Sequence, residues 1–207
     1  MKGLFKNNFC AVWLNAKIFL IFLFVMGIAA TVIPTQTLQM YFIIVGIVGF
    51  SINAAAAIGN EFSSKWGKYK LTLPVKRTDI IKSLYLNQFL WMIVGVFFVG
   101  IVTVLSYILH GLRIEQITDI FGLFALGISI SLLMGAIFIP LIYLAGEDKI
   151  IAFLIISLLF AVGIASVLFN IIDIVPSLGT IIMIACSLLL FILSYPLAIC
   201  IFKKKEY

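Results

Sequence analysis

Long runs of apolar residues alternate along the chain with short polar segments. Each run holds about 20 residues, which is the length that a helix needs to cross the hydrocarbon core of a bilayer. Backbone groups in lipid must bond within their own segment, and the runs lack the polar–apolar alternation of a membrane β-barrel. The pattern therefore predicts an all-α, polytopic membrane protein with one domain over residues 1–207 and six transmembrane helices, at about 17–33, 39–59, 83–109, 120–145, 150–170 and 178–202.

The residues before the first run have a different pattern. In residues 3–14, Phe5, Phe9 and Val12 recur at helical spacing, and Lys6 lies among the polar residues between them. A helix with one apolar stripe and a basic, polar remainder lies in the membrane interface. We therefore expect an N-terminal interfacial amphipathic helix ahead of the first span.

Basic residues are concentrated in alternate loops. Six spans put both termini, residues 60–81 and residues 146–149 on one side of the membrane, and that side holds 13 of the 14 Lys and Arg residues, all but Arg113. Positively charged loops stay in the cytoplasm. We therefore expect a multi-pass protein of the cell membrane with both termini cytoplasmic. The same distribution accounts for the net charge of +6 without a nucleic-acid partner.

The composition excludes several classes of function. Hydrophobic residues make up 64% of the chain and charged residues 11%, which is too few to cover a soluble domain. The sequence has no phosphate-binding loop of the G-x-x-x-x-G-K-[ST] type, and His110 is its only histidine, so neither ATP hydrolysis nor a metal or catalytic site is predicted. The spans carry essentially no charged residue, which argues against ion coupling.

Small residues form two stripes at four-residue spacing. They are Gly49, Asn53 and Ala57 in the second span and Gly127, Ser131 and Gly135 in the fourth. Small side chains let transmembrane helices approach closely. The stripes are typical of helix packing, within the chain or between two copies, and contact with a transported molecule is the second interpretation.

The polar segment after the second span carries an aromatic stripe. On a helix, one face would hold Phe62, Trp66, Tyr69 and Leu73. Lys65 and other lysines border that face, and Pro74 would end the helix. Such a helix either lies against anionic lipid or inserts its aromatic residues into a groove of a partner protein. The residues alone leave both interpretations open.

This segment resembles the cytoplasmic segment of type-2 ATP-binding-cassette permeases, in particular small six-span bacterial peptide exporters. The matching residues are Glu61, Trp66, Tyr69 and the run Thr72-Leu73-Pro74-Val75-Lys76-Arg77, followed by Ile80-Ile81-Lys82, where the lysine directly follows the isoleucines. A second similarity is the stretch from Pro140 to Gly146-Glu147-Asp148-Lys149. Larger members have longer outer loops than this chain.

The resemblance implies a division of labour between two kinds of subunit. A separate ATPase would bind ATP and Mg, this chain would hold no cofactor, and two permeases, as a homodimer, would pair with two ATPases. ATPase coupling would then fall to Glu61, Phe62, Lys65, Trp66, Tyr69, Leu73, Pro74 and Arg77 in a coupling helix, and to Gly146, Glu147 and Lys149 in a smaller contact. The short outer loops favour export of hydrophobic or amphipathic peptides. The alternative is a stand-alone immunity or scaffold protein whose basic segment binds lipid.

Overall fold

The structure is a computed structural model. It describes residues 2–33, 35–62, 77–110, 117–145, 149–174 and 176–204. Lys65, Trp66, Tyr69, Leu73 and Pro74 therefore lie outside the described residues, as do Gly146 and Glu147.

Six α-helices make up almost all of the described chain. They are α1 Lys2–Val32, α2 Gln36–Phe62, α3 Arg77–His110, α4 Ile117–Ala145, α5 Ile150–Ile174 and α6 Pro176–Lys204. Each contains a stretch that is long and apolar enough to cross a membrane. The predicted all-α fold with six membrane-spanning helices is thus confirmed.

The first helix differs from the expectation in one respect. Residues 3–14 and 17–33 were expected to form an interfacial helix and a separate span, but a single helix runs through both. No proline or glycine interrupts residues 4–26. Val12 and Ala16 are both fully buried, so the junction packs against the bundle. The interfacial pattern of the first turns is continuous with the first span.

The helices alternate in direction, which brings both ends of the chain to one end of the bundle. Asn8, near the start of α1, donates a hydrogen bond to Ser83, near the start of α3. At the same end, the ring of Tyr143, near the end of α4, lies 4.9 Å from that of Phe202, near the end of α6. We call this the basal end: α1, α3 and α5 begin there, and α2, α4 and α6 end there.

The core lies on two sides of α2. One cluster joins α1, α2 and one face of α3, with Phe42, Phe50 and Trp91 among its largest members. A second cluster joins the other face of α2 to α3, α4, α5 and α6. The spanning stretches of α2 and α4 are 72% and 67% buried, whereas 28% or less of each spanning stretch of α1, α3, α5 and α6 is buried. The outer helices thus present large apolar side chains, as a lipid-facing surface requires.

Candidate functional site

Three aromatic side chains meet where α2, α4 and α6 end. The rings of Phe62 and Tyr143 lie 5.0 Å apart at 82°, an edge-to-face contact, and Tyr143 in turn contacts Phe202. Such ring pairs contribute about 0.5–1.5 kcal/mol beyond the burial of their area. Tyr143 and Phe202 are almost fully buried. We call Phe62, Tyr143 and Phe202 the basal aromatic cluster.

The start of α5 packs beside this cluster. A methyl group added to Gly59 of α2 would overlap the side chain of Ile150, so Ile150 lies directly against the α2 backbone. Lys149 precedes Ile150 and is exposed. Residues 146–149, which link α4 to α5, are therefore bounded by Tyr143 on one side and by a contact with the end of α2 on the other.

The structure describes only some of the residues that the sequence predicts for ATPase coupling. Glu61 and Phe62 are the last two residues of α2 and are half-buried, and Arg77 is the first residue of α3. The helices α2 and α3 extend into the polar basic segment predicted over residues 60–81 from both sides. The basal end brings Phe62 and the start of α5 together, and the docking role of these residues stays a prediction.

A proline inside α4 is linked to two other helices. Pro140 has no N–H, so the carbonyl of Ala136 loses its helical donor. Ser194 of α6 replaces that donor, with its Oγ donating to Ala136 O at 2.5 Å. A serine hydroxyl has one proton, so Tyr85 of α3, whose hydroxyl lies 2.7 Å from Ser194 Oγ, is the donor in that second bond. We call this chain of bonds the Pro140 bridge.

The Pro140 bridge and the basal aromatic cluster were not predicted from the sequence. The one signal was Pro140 itself, because a proline in a buried helix leaves a carbonyl that needs a donor. Ser194 and Ala136 are 58 residues apart, and Tyr85 and Ser194 are 109 apart. No pattern within one helix identifies partners at such distances.

The stripe in α2 lies beside α1. A methyl group on Gly49 would overlap the ring of Phe19, and Ala57 is buried in the cluster that includes Val12 and Ala16 of α1. Asn53 Nδ2 donates to Gly49 O within the same helix, at 2.9 Å. One N–H of the Asn53 amide is therefore bonded within α2 instead of to another helix, and this bond leaves the second N–H and Oδ1 of the amide.

The stripe in α4 meets α2, α3 and α6 of the same chain. A methyl group on Gly127 would lie 3.2 Å from Ile47 Cδ1, and one on Gly135 would lie 2.9 Å from Gln88 Cγ. Ser131 Oγ donates to Gly127 O at 2.8 Å. These positions lie at close helix contacts, and a role of either stripe in a transport path stays a prediction.

The six apolar helices define a multi-pass, helical membrane protein. A family model described as an ABC-2 family transporter protein matches residues 3–203, and the chain therefore belongs to this family. It is a membrane permease of an ABC transporter, and the family implies an ABC ATPase as its partner. The chain matches no curated protein and no solved structure.

Proposed function

We propose that this permease is driven from its basal end by a separate ATPase, which binds ATP and Mg and docks on residues 61–77. Residues 146–149 would form a second, smaller contact. The single observation that carries the proposal is the basal aromatic cluster. Phe62 begins one link and Tyr143 precedes the other, and their rings are in contact. A force applied to either link would therefore reach α2, α4 and α6 together.

The proposal places the basal end in the cytoplasm of the cell. Both helix ends nearest the chain termini lie there, together with Lys6, Lys82, Lys149 and Lys204, all of them exposed. Positive charge favours the cytoplasmic side. An ATPase on that side has access to cytosolic ATP, and the exposed apolar side chains of α1, α3, α5 and α6 would contact membrane lipid.

We propose that two copies of the permease pair with two ATPases. A groove of about 370 Å³ opens between α1 and α5, and Asn53 is the polar residue that lines it. A half-buried amide facing lipid is costly, because lipid offers no hydrogen-bond partner. A second copy that covers the groove would remove Asn53 from lipid. Cross-linking of Asn53→Cys between copies in native membranes tests this, and a failure to cross-link at this position would contradict it.

We propose hydrophobic or amphipathic peptides as the exported molecules. The support is the apolar character of the exposed helices, from which an amphipathic molecule could enter laterally. A peptide-stimulated rate of ATP hydrolysis in the reconstituted complex is the expected result, and a rate that no amphipathic peptide changes would contradict this choice of substrate.

The ATPase pairing is tested by purification of the tagged permease from native cells in mild detergent. The expected result is co-elution with a protein that hydrolyses ATP and contains a phosphate-binding loop. Tyr69→Ala should weaken that complex, whereas Tyr41→Ala, an exposed tyrosine at the opposite end of the bundle, should leave it intact. Purification of a fully active permease with no ATPase would instead favour the stand-alone immunity or scaffold protein.

A further inference from the structure

One face of α3 is polar although it lies among apolar helices. Ser83, Asn87 and Trp91 follow one another at four-residue spacing and so share that face. Ser83 Oγ accepts a hydrogen bond from Asn8 of α1 at 3.1 Å. Trp91 stacks on Phe9 of α1, with ring centroids 4.9 Å apart. Because both neighbours contact α1, Asn87 between them also faces α1.

Asn87 has no hydrogen-bond partner for either atom of its amide. Its side chain is fully buried, and both Nδ2 and Oδ1 are unbonded. A buried polar atom without a partner destabilises the folded state, because its bonds to water are lost and not replaced. Asparagine is a costly residue at such a position, since leucine has the same branched arrangement of side-chain heavy atoms and no polar atom to satisfy.

A further unpartnered atom lies on the same face of α3. Trp91 Nε1 is buried and unbonded. The ring of Trp91 also lies 6.0 Å from that of Phe50, so this end of the face contacts α2 as well as α1. We call Ser83, Asn87 and Trp91 the polar layer.

The helix that covers the polar layer is the one best placed to move. Only 17% of the spanning stretch of α1 is buried, whereas 72% and 67% of those of α2 and α4 are buried. Its main contacts are with α2 and α3 alone. Separation of α1 from α3 would break the Asn8–Ser83 bond and the Phe9–Trp91 stack, and it would expose Asn87 from the basal end.

We infer that the polar layer is the closed form of a passage between α1 and α3, and that it binds neutral hydrogen-bonding groups of the transported molecule when α1 moves away. The inference rests on the proposed transport function. The layer contains an amide, a hydroxyl and an indole N–H, and none of its three side chains is charged. Amide or hydroxyl groups suit such a site, whereas a charged group would be left unpaired.

The flanking rings indicate the rest of the ligand. Phe9, Trp13 and Phe50 surround Trp91, with Trp13 at a centroid distance of 6.3 Å. Aromatic surface beside neutral polar atoms suits an amphiphile whose amide or hydroxyl groups meet the polar layer and whose apolar part meets the rings.

The first test measures whether water reaches Asn87. Cys10, Cys186 and Cys200 are replaced by alanine, and Asn87→Cys is compared with Ser187→Cys, a fully buried position on α6. Native membrane vesicles open at the basal end are treated with a charged, membrane-impermeant thiol reagent, without nucleotide and with ATP plus vanadate. We expect Asn87→Cys to react about tenfold faster than Ser187→Cys in at least one condition. Equally slow labelling of both in every condition would overturn the inference.

The second test measures stability and does not depend on labelling. Asn87→Leu removes two unpartnered atoms from the closed state, so its thermal midpoint should rise by about 2–4 °C. The same variant should lose the ATP hydrolysis that an amphipathic peptide stimulates while still co-purifying with the ATPase. A fall of the midpoint together with unchanged peptide stimulation would overturn the inference. Absence of an ATPase from the wild-type complex would contradict the proposed function, whereas the vesicle labelling would still test the passage.

Discussion

The Pro140 bridge gives a quantitative prediction for Ser194→Ala. The serine makes two bonds, one to Ala136 O at 2.5 Å and one with the Tyr85 hydroxyl at 2.7 Å. Alanine removes both and leaves a carbonyl that Pro140 has already deprived of its helical donor. Side-chain hydrogen bonds within membrane proteins contribute about 0.6 kcal/mol on average and about 1.7 at most. Two bonds therefore predict a loss of about 1–3 kcal/mol.

Two further variants separate the bridge from general effects of mutation. Tyr85→Phe removes one bond and keeps the Ser194–Ala136 bond, so it should cost about 0.6–1.7 kcal/mol. The double variant should cost no more than Ser194→Ala alone, because the serine change has already removed the shared bond. Ser187→Ala is the matched control, since Ser187 is also buried in α6 but donates only to Met183 O of its own helix. It should change stability by less than about 0.5 kcal/mol.

The measurement is unfolding in mixed micelles with increasing SDS, followed by far-UV circular dichroism. The predicted order of destabilisation is Ser194→Ala, then Tyr85→Phe, then Ser187→Ala. The reasoning is refuted if Ser194→Ala and Ser187→Ala unfold alike, or if the two bridge variants have fully additive effects. The first result would mean that the carbonyl of Ala136 does not depend on Ser194, and the second would mean that Tyr85 and Ser194 do not share a hydrogen bond.

Two more predictions concern the helix contacts and the basal end. Gly127→Val places a branched side chain against Ile47 and should destabilise the protein by about 1–3 kcal/mol. At Gly163 an added methyl group meets no atom within 4 Å, so Gly163→Ala should stabilise the protein by up to about 1 kcal/mol. The same unfolding titration measures both variants, and an unchanged stability of Gly127→Val would contradict the close contact. Phe62→Ala removes the ring that contacts Tyr143, so peptide-stimulated ATP hydrolysis by the complex should fall several-fold. Phe62→Tyr keeps a ring at this position and should retain the stimulated rate. Equal rates for both variants would show that the basal aromatic cluster does not transmit the coupling.

The number and direction of the spans could be predicted because both depend on local properties of the sequence. Apolar stretches of sufficient length identify the spans. The basic residues lie at alternate helix ends, and this predicts which ends share one side of the membrane. The partners of the spans could not be predicted in this way. The spacing of Gly127 and Ser131 indicated a close contact, but it did not identify Ile47 as the neighbour.

The first helix shows a different limit of sequence reasoning. The change from a polar amphipathic pattern to an apolar one suggested a boundary between residues 14 and 17. A change of environment along a helix does not end the helix, because only the loss of backbone bonds does so. Val12 and Ala16 are small enough to pack on the bundle through that junction, where both are fully buried. The lack of a hydrogen-bond partner at Asn87 depends on packing between helices, which no pattern within one helix reveals.

The central claim is that an ATPase drives this permease through the link between α2 and α3. The most direct measurement is photo-cross-linking in native cells, with a benzophenone side chain in place of Trp66 in one sample and of Tyr41, at the opposite end of the bundle, in another. The account predicts a cross-link from position 66 to a protein that contains a phosphate-binding loop, and none from position 41. Absence of that cross-link from position 66, while the ATPase co-purifies with the permease, would contradict it.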